Sequence, residues 1–204
     1  MQAARGTSLT GDDPEVDRPT NGRHHLLFVG VAATAYVVDV ATKVWAMNHL
    51  ADRGPVPLIG DLLRFNLVRN PGAAFSTGTR FTLAFSLLAI VAAIVVLVLV
   101  RKVGDWLWAV AFGLLFAGIV GNLTDRIFRD PGPFRGHVVD FLELPHWPVF
   151  NVADMCINVA AALIVIQSVR GVGLDGRRTH RTGPSPHDDG AADGTAEDTA
   201  RETP

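Results

Sequence analysis

Apolar residues in this chain fall into four long stretches, and charged and polar residues are concentrated between these stretches and at the two ends. The stretches cover about residues 26–47, 81–100, 106–124 and 149–169. A helix rises about 1.5 Å per residue, so about 20 residues cross a hydrocarbon core about 30 Å thick. The pattern therefore predicts a membrane protein whose fold is an all-α bundle of four transmembrane helices.

The first apolar stretch could also be a cleaved signal peptide. It begins only at residue 26, behind an acidic leader, and it is longer than the apolar region of a normal signal peptide. No convincing small-x-small cleavage site follows it. We therefore predict that this stretch is a retained span.

Both ends of the chain are polar. Residues 1–25 and 171–204 contain too few large apolar side chains to offset the entropy that is lost on ordering. We predict disordered tails over these two ranges, flanking one membrane domain over residues 26–170. We assign no chemistry to the tails.

Four spans place both termini on one side of the membrane, but the basic residues hardly identify that side. Eight Arg or Lys residues flank the spans on the side of the termini, and seven lie on the other side. The connector between the second and third spans begins with Arg101 and Lys102, and this local density favours termini in the cytoplasm.

The loop of residues 48–80 contains the pattern of a strand. Apolar and polar residues alternate over 63–67, and a turn follows in which Pro71 and Gly72 take the two central positions. We predict a small β-hairpin or cradle on the membrane surface. The last loop, 129–148, is rich in Gly and Pro, and we predict that it is irregular.

Composition narrows the class of protein. The chain is 49% hydrophobic, which excludes disorder throughout. Its net charge is −2 and it has no basic stripe, so a nucleic-acid binder is not expected. The single cysteine, Cys156, excludes an internal disulfide and a Cys-rich zinc site, and we expect it to pack inside the fourth span.

The first span contains two charged residues. Asp39 and Lys43 are four residues apart, so they share one face of a helix and can form an ion pair. Charged groups inside a bilayer are costly and need a reason. The pair is either a clamp between helices or a neighbour of a functional site.

A second polar group is predicted where the third and fourth spans meet. The third span closes with Asn122, Asp125 and Arg126 on one helix face, and the fourth opens with Asn151 and Asp154. The two spans run antiparallel, so these residues lie at the same membrane surface.

The intervening loop and the predicted hairpin add to this group. Asp140 lies in the loop between the two spans, and Asn70 lies in the hairpin loop on the same side. A single Asp at a helix start often only caps the helix. Capping does not explain the whole group, because Asp154 lies several residues inside an apolar run.

Paired carboxylates are the chemistry that fits these residues. The chain has no convincing Ser-His or Cys-His pair and no H-E-x-x-H zinc motif. Two Asp side chains that share a site hold one proton between them, and such a pair can activate water and polarise a carbonyl. The spacing does not say which two of Asp125, Asp140 and Asp154 form the pair.

Two other classes of protein are possible. A small proton-coupled transporter could use Asp39, Lys43 and Asp154 as a relay, although these polar groups collect at one end and do not line a path. A membrane scaffold could bind lipidated proteins without cutting them. Binding by such a scaffold would survive the loss of Asp140.

Five segments together resemble the ordered motifs of lipoprotein signal peptidase, the type II signal peptidase of bacteria. They are residues 69–76, 121–126, 138–141 and 150–154, together with the Asp39-x-x-x-Lys43 pair. The resemblance covers residues 26–170 in the order of the family. The segment before His137 resembles members from high-GC Gram-positive bacteria.

The resemblance implies an aspartic endopeptidase of the bacterial cell membrane. Its substrates would be diacylglyceryl-modified prolipoproteins, cut just before the lipidated lipobox cysteine. It implies no metal or other cofactor, a monomer in contact with membrane lipid, cytoplasmic termini and an extracytoplasmic active site. The catalytic pair would be Asp140 and Asp154.

The resemblance also implies roles for eight further residues. Those that would bind substrate or support the pair are Asn70, Asn122, Arg126 and Asn151. Those that would be structural or neighbours of the site are Asp39, Lys43, Asp125 and Gly72.

Overall fold

The computed structural model describes residues 22–72 and 82–178. The four predicted spans are helices that are long and apolar enough to cross a membrane. The helices are α1 (Gly22–Leu50), α2 (Thr82–Leu99), α3 (Trp106–Phe128) and α4 (Val152–Val169), and the strands are β1 (Val56–Ile59), β2 (Leu63–Asn70) and β3 (Val138–Glu143). The predicted four-helix membrane fold is confirmed.

Helix α3 is the centre of the bundle and packs against each of the other three helices. Small residues on α3 allow this close approach, because they let two backbones come together. The small residues of α3 that are buried are Ala109, Ala111, Gly113, Ala117, Gly118 and Gly121. At Gly118, an added Cβ would lie 2.5 Å from the carbonyl oxygen of Ala153 on α4.

Helix α2 packs mainly against α3 and exposes the rest of its surface. Its exposed apolar residues include Leu83, Leu87, Leu88, Val91, Ile94, Val95, Leu97 and Val98. In a bilayer this surface contacts lipid, which is as apolar as the side chains.

Side-chain caps fix where α3 and α4 begin. Asp105 caps α3 by accepting hydrogen bonds from the backbone N–H groups of Leu107 at 2.9 Å and Trp108 at 3.1 Å. Asn151 and Asp154 form a capping box at the start of α4. Both arrangements satisfy N–H groups that a helix start leaves unpaired.

The three strands form one antiparallel sheet in the order β1-β2-β3 at one end of the bundle, which we call the sheet end. The strand predicted over 63–67 lies within β2, but the hairpin partner of β2 is β1, which precedes it, and the residues after the predicted turn at Pro71 and Gly72 lie outside the described residues. The prediction that loop 129–148 is irregular was wrong, because β3 lies within it and pairs Asp140 with Val68. This strand depends on pairing with β2, which the local composition of the loop does not reveal.

The turn after β2 contains a glycine with a positive φ angle. Gly72 has a φ of 106°, a conformation that residues with a Cβ rarely adopt. Residues 73–76 of the first motif lie outside the described residues.

Parts of both predicted tails have regular structure in the described residues. Helix α1 begins at Gly22, inside the range 1–25, and residues 171–178 form a turn that packs on the opposite end of the bundle. The Nε1 of Trp108 donates to the carbonyl oxygen of Val172 at 3.1 Å, and the N–H of Gly104 donates to that of Leu174 at 2.8 Å. Tail composition alone did not indicate these contacts.

Candidate active site

Asp140 lies on β3 and is almost completely buried, with 2% of its surface exposed. Two side-chain amides donate hydrogen bonds to its carboxylate. The Nδ2 of Asn70 lies 2.8 Å from Oδ2, and the Nδ2 of Asn151 lies 2.6 Å from Oδ1. The pairing of β2 with β3 brings Asn70 next to Asp140, although the two are 70 residues apart in the chain.

Asp154 lies in the first turn of α4 and is partly buried. Its Oδ2 accepts from the backbone N–H of Asn151 at 3.2 Å, which is one half of the capping box. Its Oδ1 accepts from the Nδ2 of Asn122 on α3 at 2.8 Å. Asp154 therefore both caps α4 and belongs to the polar cluster.

The amide of Asn151 joins the two carboxylates. It is fully buried, and its Nδ2 also lies 3.1 Å from the Oδ1 of Asn122, whose own amide donates to Asp154. Asp140, Asn151, Asn122 and Asp154 thus form one continuous hydrogen-bonded group. We call this group the Asp140–Asp154 cluster.

Burial controls the protonation of Asp140. It raises the pKa of this carboxyl from its ordinary value of 3.8 to about 6, and the nearby charge of Asp154 acts in the same direction. The amides of Asn70 and Asn151 and the charge of Lys43 oppose the shift, because they stabilise the ionised form. Asp140 therefore retains its proton into a pH range where an ordinary Asp is ionised.

Asp125 is not part of this cluster. Its Oδ2 accepts from the backbone N–H of Val139 at 3.2 Å and lies 3.0 Å from the Nζ of Lys43, and its Oδ1 pairs with the Nε of Arg129. It therefore holds the residue next to Asp140 but does not touch the Asp140 carboxylate. Of the three candidate carboxylates, the structure brings Asp140 and Asp154 together.

The predicted ion pair in α1 is present, with Lys43 Nζ 2.8 Å from Asp39 Oδ2. Both side chains are fully buried. Asp39 also accepts a hydrogen bond from the backbone N–H of Ala153 at 2.9 Å, through Oδ1. The pair therefore contacts α4 as well as clamping α1 to its neighbours.

Arg126 is half-buried on α3, and its guanidinium lies over the ring of Phe85, 5.7 Å from the ring centroid. Its charge acts on Asp140, Asp125 and Asp154. Its Nη1 is buried and has no hydrogen-bond partner within residues 22–72 and 82–178.

An open groove of about 510 Å³ leads to the cluster. Its polar end contains Asn70, Asp140 and Asp154. The rest of its lining is Trp147, Pro148, Val149, Phe150, Met155, Asn158 and Val159. Met155 and Val159 are also exposed on the surface of α4, so the groove is continuous with the face of the helix that contacts lipid.

Two hydroxyl side chains of α2 contact the loops at the sheet end, and the sequence did not predict these contacts. Thr82 donates to the carbonyl oxygen of Pro71, and Ser86 donates to that of Phe134, each at 2.7 Å. They hold the turn after β2 and the loop before β3 against α2. A small hydroxyl residue in an apolar run carried no signal that distinguished it from a residue facing lipid.

No group of three His, Cys, Asp or Glu side chains in the described part of the chain could hold a metal ion. The described Cys156 is a free, buried thiol on α4.

Comparisons with known proteins agree on one family. A family model described as signal peptidase (SPase) II matches residues 31–170. The lipoprotein signal peptidase of Mycobacterium avium is 45% identical over 171 residues, which are 83% of this chain and 93% of that protein. The lipoprotein signal peptidase of Streptomyces coelicolor is 44% identical over 160 residues, which are 78% of each chain.

The fold also matches a solved structure of a bacterial membrane enzyme. The TM-score is 0.62 at 26% sequence identity, and the match covers 73% of this chain and 94% of the other.

Proposed function

Because the chain belongs to the signal peptidase II family, we propose that Asp140 and Asp154 are its catalytic dyad. The protein is a multi-pass membrane endopeptidase of the aspartic class that removes the signal peptide from prolipoproteins. Membership of this family does not favour the two alternative functions, a proton-coupled transporter and a non-catalytic scaffold that binds lipidated proteins.

The observation that carries the dyad proposal is the amide of Asn151. It donates to Asp140 at 2.6 Å and lies in the capping box with Asp154, so one residue holds both carboxylates. Two carboxyl groups held in this way share a proton, because two adjacent negative charges repel each other.

The surroundings of the two carboxyl groups differ. Asp140 is buried and has a pKa raised to about 6, so it is the group that holds the proton. Asp154 lies at the N-terminus of α4, where the helix dipole and a backbone N–H stabilise negative charge. We assign Asp154 as the general base and Asp140 as the general acid.

The proposed reaction follows from these roles. Ionised Asp154 takes a proton from a water molecule as the water oxygen bonds to the scissile carbonyl carbon, and Asp140 gives its proton to the carbonyl oxygen. The tetrahedral intermediate then collapses as the C–N bond breaks, and the amide nitrogen leaves with a proton from Asp154. The hydroxyl proton of the intermediate returns to Asp140, which restores the dyad.

The asparagines support the dyad in this proposal. Asn70, Asn122 and Asn151 each donate an N–H to one of the two carboxylates, so they fix the orientation of the reacting oxygens. We propose that Arg126, whose Nη1 is buried and has no hydrogen-bond partner among the described residues, donates to a backbone carbonyl of the substrate.

The groove supports a lipid-modified substrate. Its polar end contains the dyad, and its apolar wall continues along α4 to the surface that contacts lipid. We propose that the substrate carries a diacylglyceryl group on the lipobox cysteine and is cut just before that cysteine. The acyl chains would keep the scissile bond at the depth of the dyad.

We further propose that the sheet end faces away from the cytoplasm, that both termini are cytoplasmic and that the protein acts as a monomer. Asp61 lies in the β1–β2 turn and Lys102 at the opposite end of the bundle, and both are exposed. A membrane-impermeant thiol reagent should label Asp61→Cys in intact spheroplasts and should label Lys102→Cys only after lysis. The reverse pattern would invert the proposed orientation.

The dyad is tested with purified protein and a diacylglyceryl-modified prolipoprotein. Asp140→Asn and Asp154→Asn should each abolish release of the signal peptide while the protein still folds, because a neutral amide cannot perform the proton transfers. Asp61→Asn is the matched control, since Asp61 is an exposed Asp at the same end. Near-normal turnover by either dyad variant would remove that residue from the dyad.

A further inference from the structure

Lys43 is fully buried, and three oxygen atoms lie within 3.0 Å of its ammonium nitrogen. They are Oδ2 of Asp39 at 2.8 Å, Oδ2 of Asp125 at 3.0 Å and Oδ1 of Asn122 at 3.0 Å. The contacts with the two aspartates are ion pairs, and the contact with Asn122 is a hydrogen bond that Lys43 donates.

Asn122, the uncharged partner of Lys43, contacts the proposed dyad directly. Asn122 uses Oδ1 to accept from Lys43 and uses Nδ2 to donate to Asp154 at 2.8 Å. An amide rotated by 180° would point its oxygen at the Asp154 carboxylate and its N–H groups at the ammonium. Lys43, which can only donate, therefore fixes, together with the Nδ2 of Asn151, the orientation in which Asn122 donates to the dyad.

The two acidic partners contact the residues that precede the dyad in the chain. Asp125 accepts from the N–H of Val139, which comes directly before Asp140. Asp39 accepts from the N–H of Ala153, which comes directly before Asp154. Each segment that carries a dyad carboxylate is thus held at its backbone by an acid that is paired with Lys43.

A clamp between helices would need only the ion pairs. The third contact, to the uncharged Asn122, adds nothing to charge compensation but connects Lys43 to Asp154 through a single side chain. The contacts of Lys43 therefore converge on the positions of both dyad carboxylates.

We propose that Lys43 is a positioning residue of the enzyme, which sets the relative placement of the two dyad carboxyl groups through Asn122, Asp125 and Asp39. This inference rests on the proposed dyad. It assigns to the α1 lysine a role in the chemical step, although Lys43 is not proposed to touch the substrate.

The test compares Lys43→Met with Lys102→Met. Lys102 is the other lysine of the chain, and it is exposed at the opposite end of the bundle. Lys43→Met should lower kcat by about 100-fold, because a misplacement of about 1 Å at a reacting group has an effect of that size. KM should stay nearly constant, since Lys43 makes no contact with the groove. Lys102→Met should leave both constants unchanged.

The pH profile supplies a second readout. The charged groups that act on Asp140 are Lys43 from α1, Arg126 from α3 and Asp154 from α4, while β2 contributes the uncharged Asn70. The charge of Lys43 lowers the pKa of Asp140, so its removal raises that pKa. The kcat profile of Lys43→Met should shift to higher pH, an effect that a general loss of stability does not produce.

A second variant covers the case in which Lys43→Met fails to fold because Asp39 loses its partner. Lys43→Met combined with Asp39→Asn leaves the net charge of the group unchanged, and the new amide oxygen can still accept from Ala153. This variant should fold, should show the same loss in kcat and should show the same shift in pH.

The outcomes separate this inference from the dyad proposal. If Asp140→Asn is inactive and the folded Lys43 variants match Lys102→Met in kcat and in pH profile, Lys43 is only a clamp and the inference is overturned. If Asp140→Asn retains turnover, the dyad proposal fails first, whatever Lys43 does. An unchanged kcat with a raised KM would also overturn the inference, because it would place Lys43 in substrate binding.

Discussion

The side chain of Asn70 uses both ends of its amide inside the protein. Its Oδ1 accepts from the N–H of Gly72 at 2.8 Å, which leaves Nδ2 directed at Asp140, also at 2.8 Å. The glycine that permits the turn therefore also fixes which end of the amide meets the carboxylate. The amide of Asn122 is used in the same way, because its Oδ1 accepts from Lys43 and its Nδ2 donates to Asp154.

We expect Asn70→Ala to lower turnover by about 5- to 150-fold, because a buried hydrogen bond to a carboxyl group contributes about 1–3 kcal/mol. The yield of folded protein should not change. Signal-peptide release under single-turnover conditions is the measurement, and Asn48→Ala is the control because Asn48 is exposed near the end of α1. Equal rates for the two variants would contradict the supporting role of Asn70.

The raised pKa of Asp140 predicts the pH dependence of the enzyme. An ordinary Asp is ionised above about pH 4, whereas Asp140 holds its proton to about pH 6. Because the proposed mechanism needs this proton, kcat/KM should fall as the pH rises through this value. In Asn70→Ala the fall should occur at higher pH, since the amide stabilises the ionised form.

The measurement is kcat/KM from pH 4.5 to 8.5 for the wild type, Asn70→Ala and Asp61→Asn. The control Asp61→Asn should follow the wild type. A profile that is flat across this range, or that rises with pH, would show that Asp140 is not the acid.

At the scale of elements, the start of α4 is placed by two neighbouring helices. Asp39 on α1 accepts from the N–H of Ala153, and Gly121 on α3 leaves the space that the Asp39 carboxylate occupies. Gly118, one turn earlier on α3, lets the Ala153 backbone approach. A glycine pair on the central helix thus determines where Asp154 lies.

Gly121→Ala should destabilise the protein by about 1–3 kcal/mol, because the new methyl group would overlap the Asp39 carboxylate. It should also lower activity, since Ala153 loses its partner at the start of α4. Thermal unfolding in detergent and turnover are the measurements. Gly30→Ala is the matched control, because a Cβ at Gly30 on α1 meets no atom within 4 Å. Similar behaviour of the two variants would mean that the space beside Asp39 is not needed.

The sequence predicts the elements whose signal is local. Four apolar stretches were sufficient for the spans, because lipid imposes length and composition on a helix. Asp39 and Lys43 were expected to pair because both lie on one turn of α1. Strand β3 was missed, since it becomes a strand only through β2, and neither the placement of Asn70 beside Asp140 nor the separation of Asp125 from the other carboxylates could be predicted from spacing.

At the scale of the whole molecule, the two ends of the bundle have separate tasks. The sheet end carries the proposed site, and the opposite end is closed by residues 171–178. Val172 is buried there with Val103 and Trp108, and Leu174 packs against the same cluster. By composition these residues belong to the predicted disordered tail, because their two large apolar side chains are too few to change the polar average composition of the range 171–204.

A chain that ends at Arg178 should keep the stability and activity of the full protein. A chain that ends at Arg170 should lose about 2–4 kcal/mol, because it loses the burial of Val172 and the hydrogen-bond partner of Trp108. Thermal unfolding of both in detergent checks this, with turnover measured well below the transition. A normal melting temperature for the shorter chain would mean that residues 171–178 do not stabilise the bundle.

The two ion pairs within single segments have a consequence for biosynthesis. Asp39 meets Lys43 one turn later in α1, and Asp125 at the end of α3 meets Arg129 one turn later. Each acid thus has a base within its own nascent segment, so the Asp39 and Asp125 carboxylates can be neutralised as α1 and α3 enter the bilayer, before the later helices are translated. When α4 arrives last, Asp39 and Asp125 already have counterions, and α4 brings Asp154 into the cluster that contains Asp140.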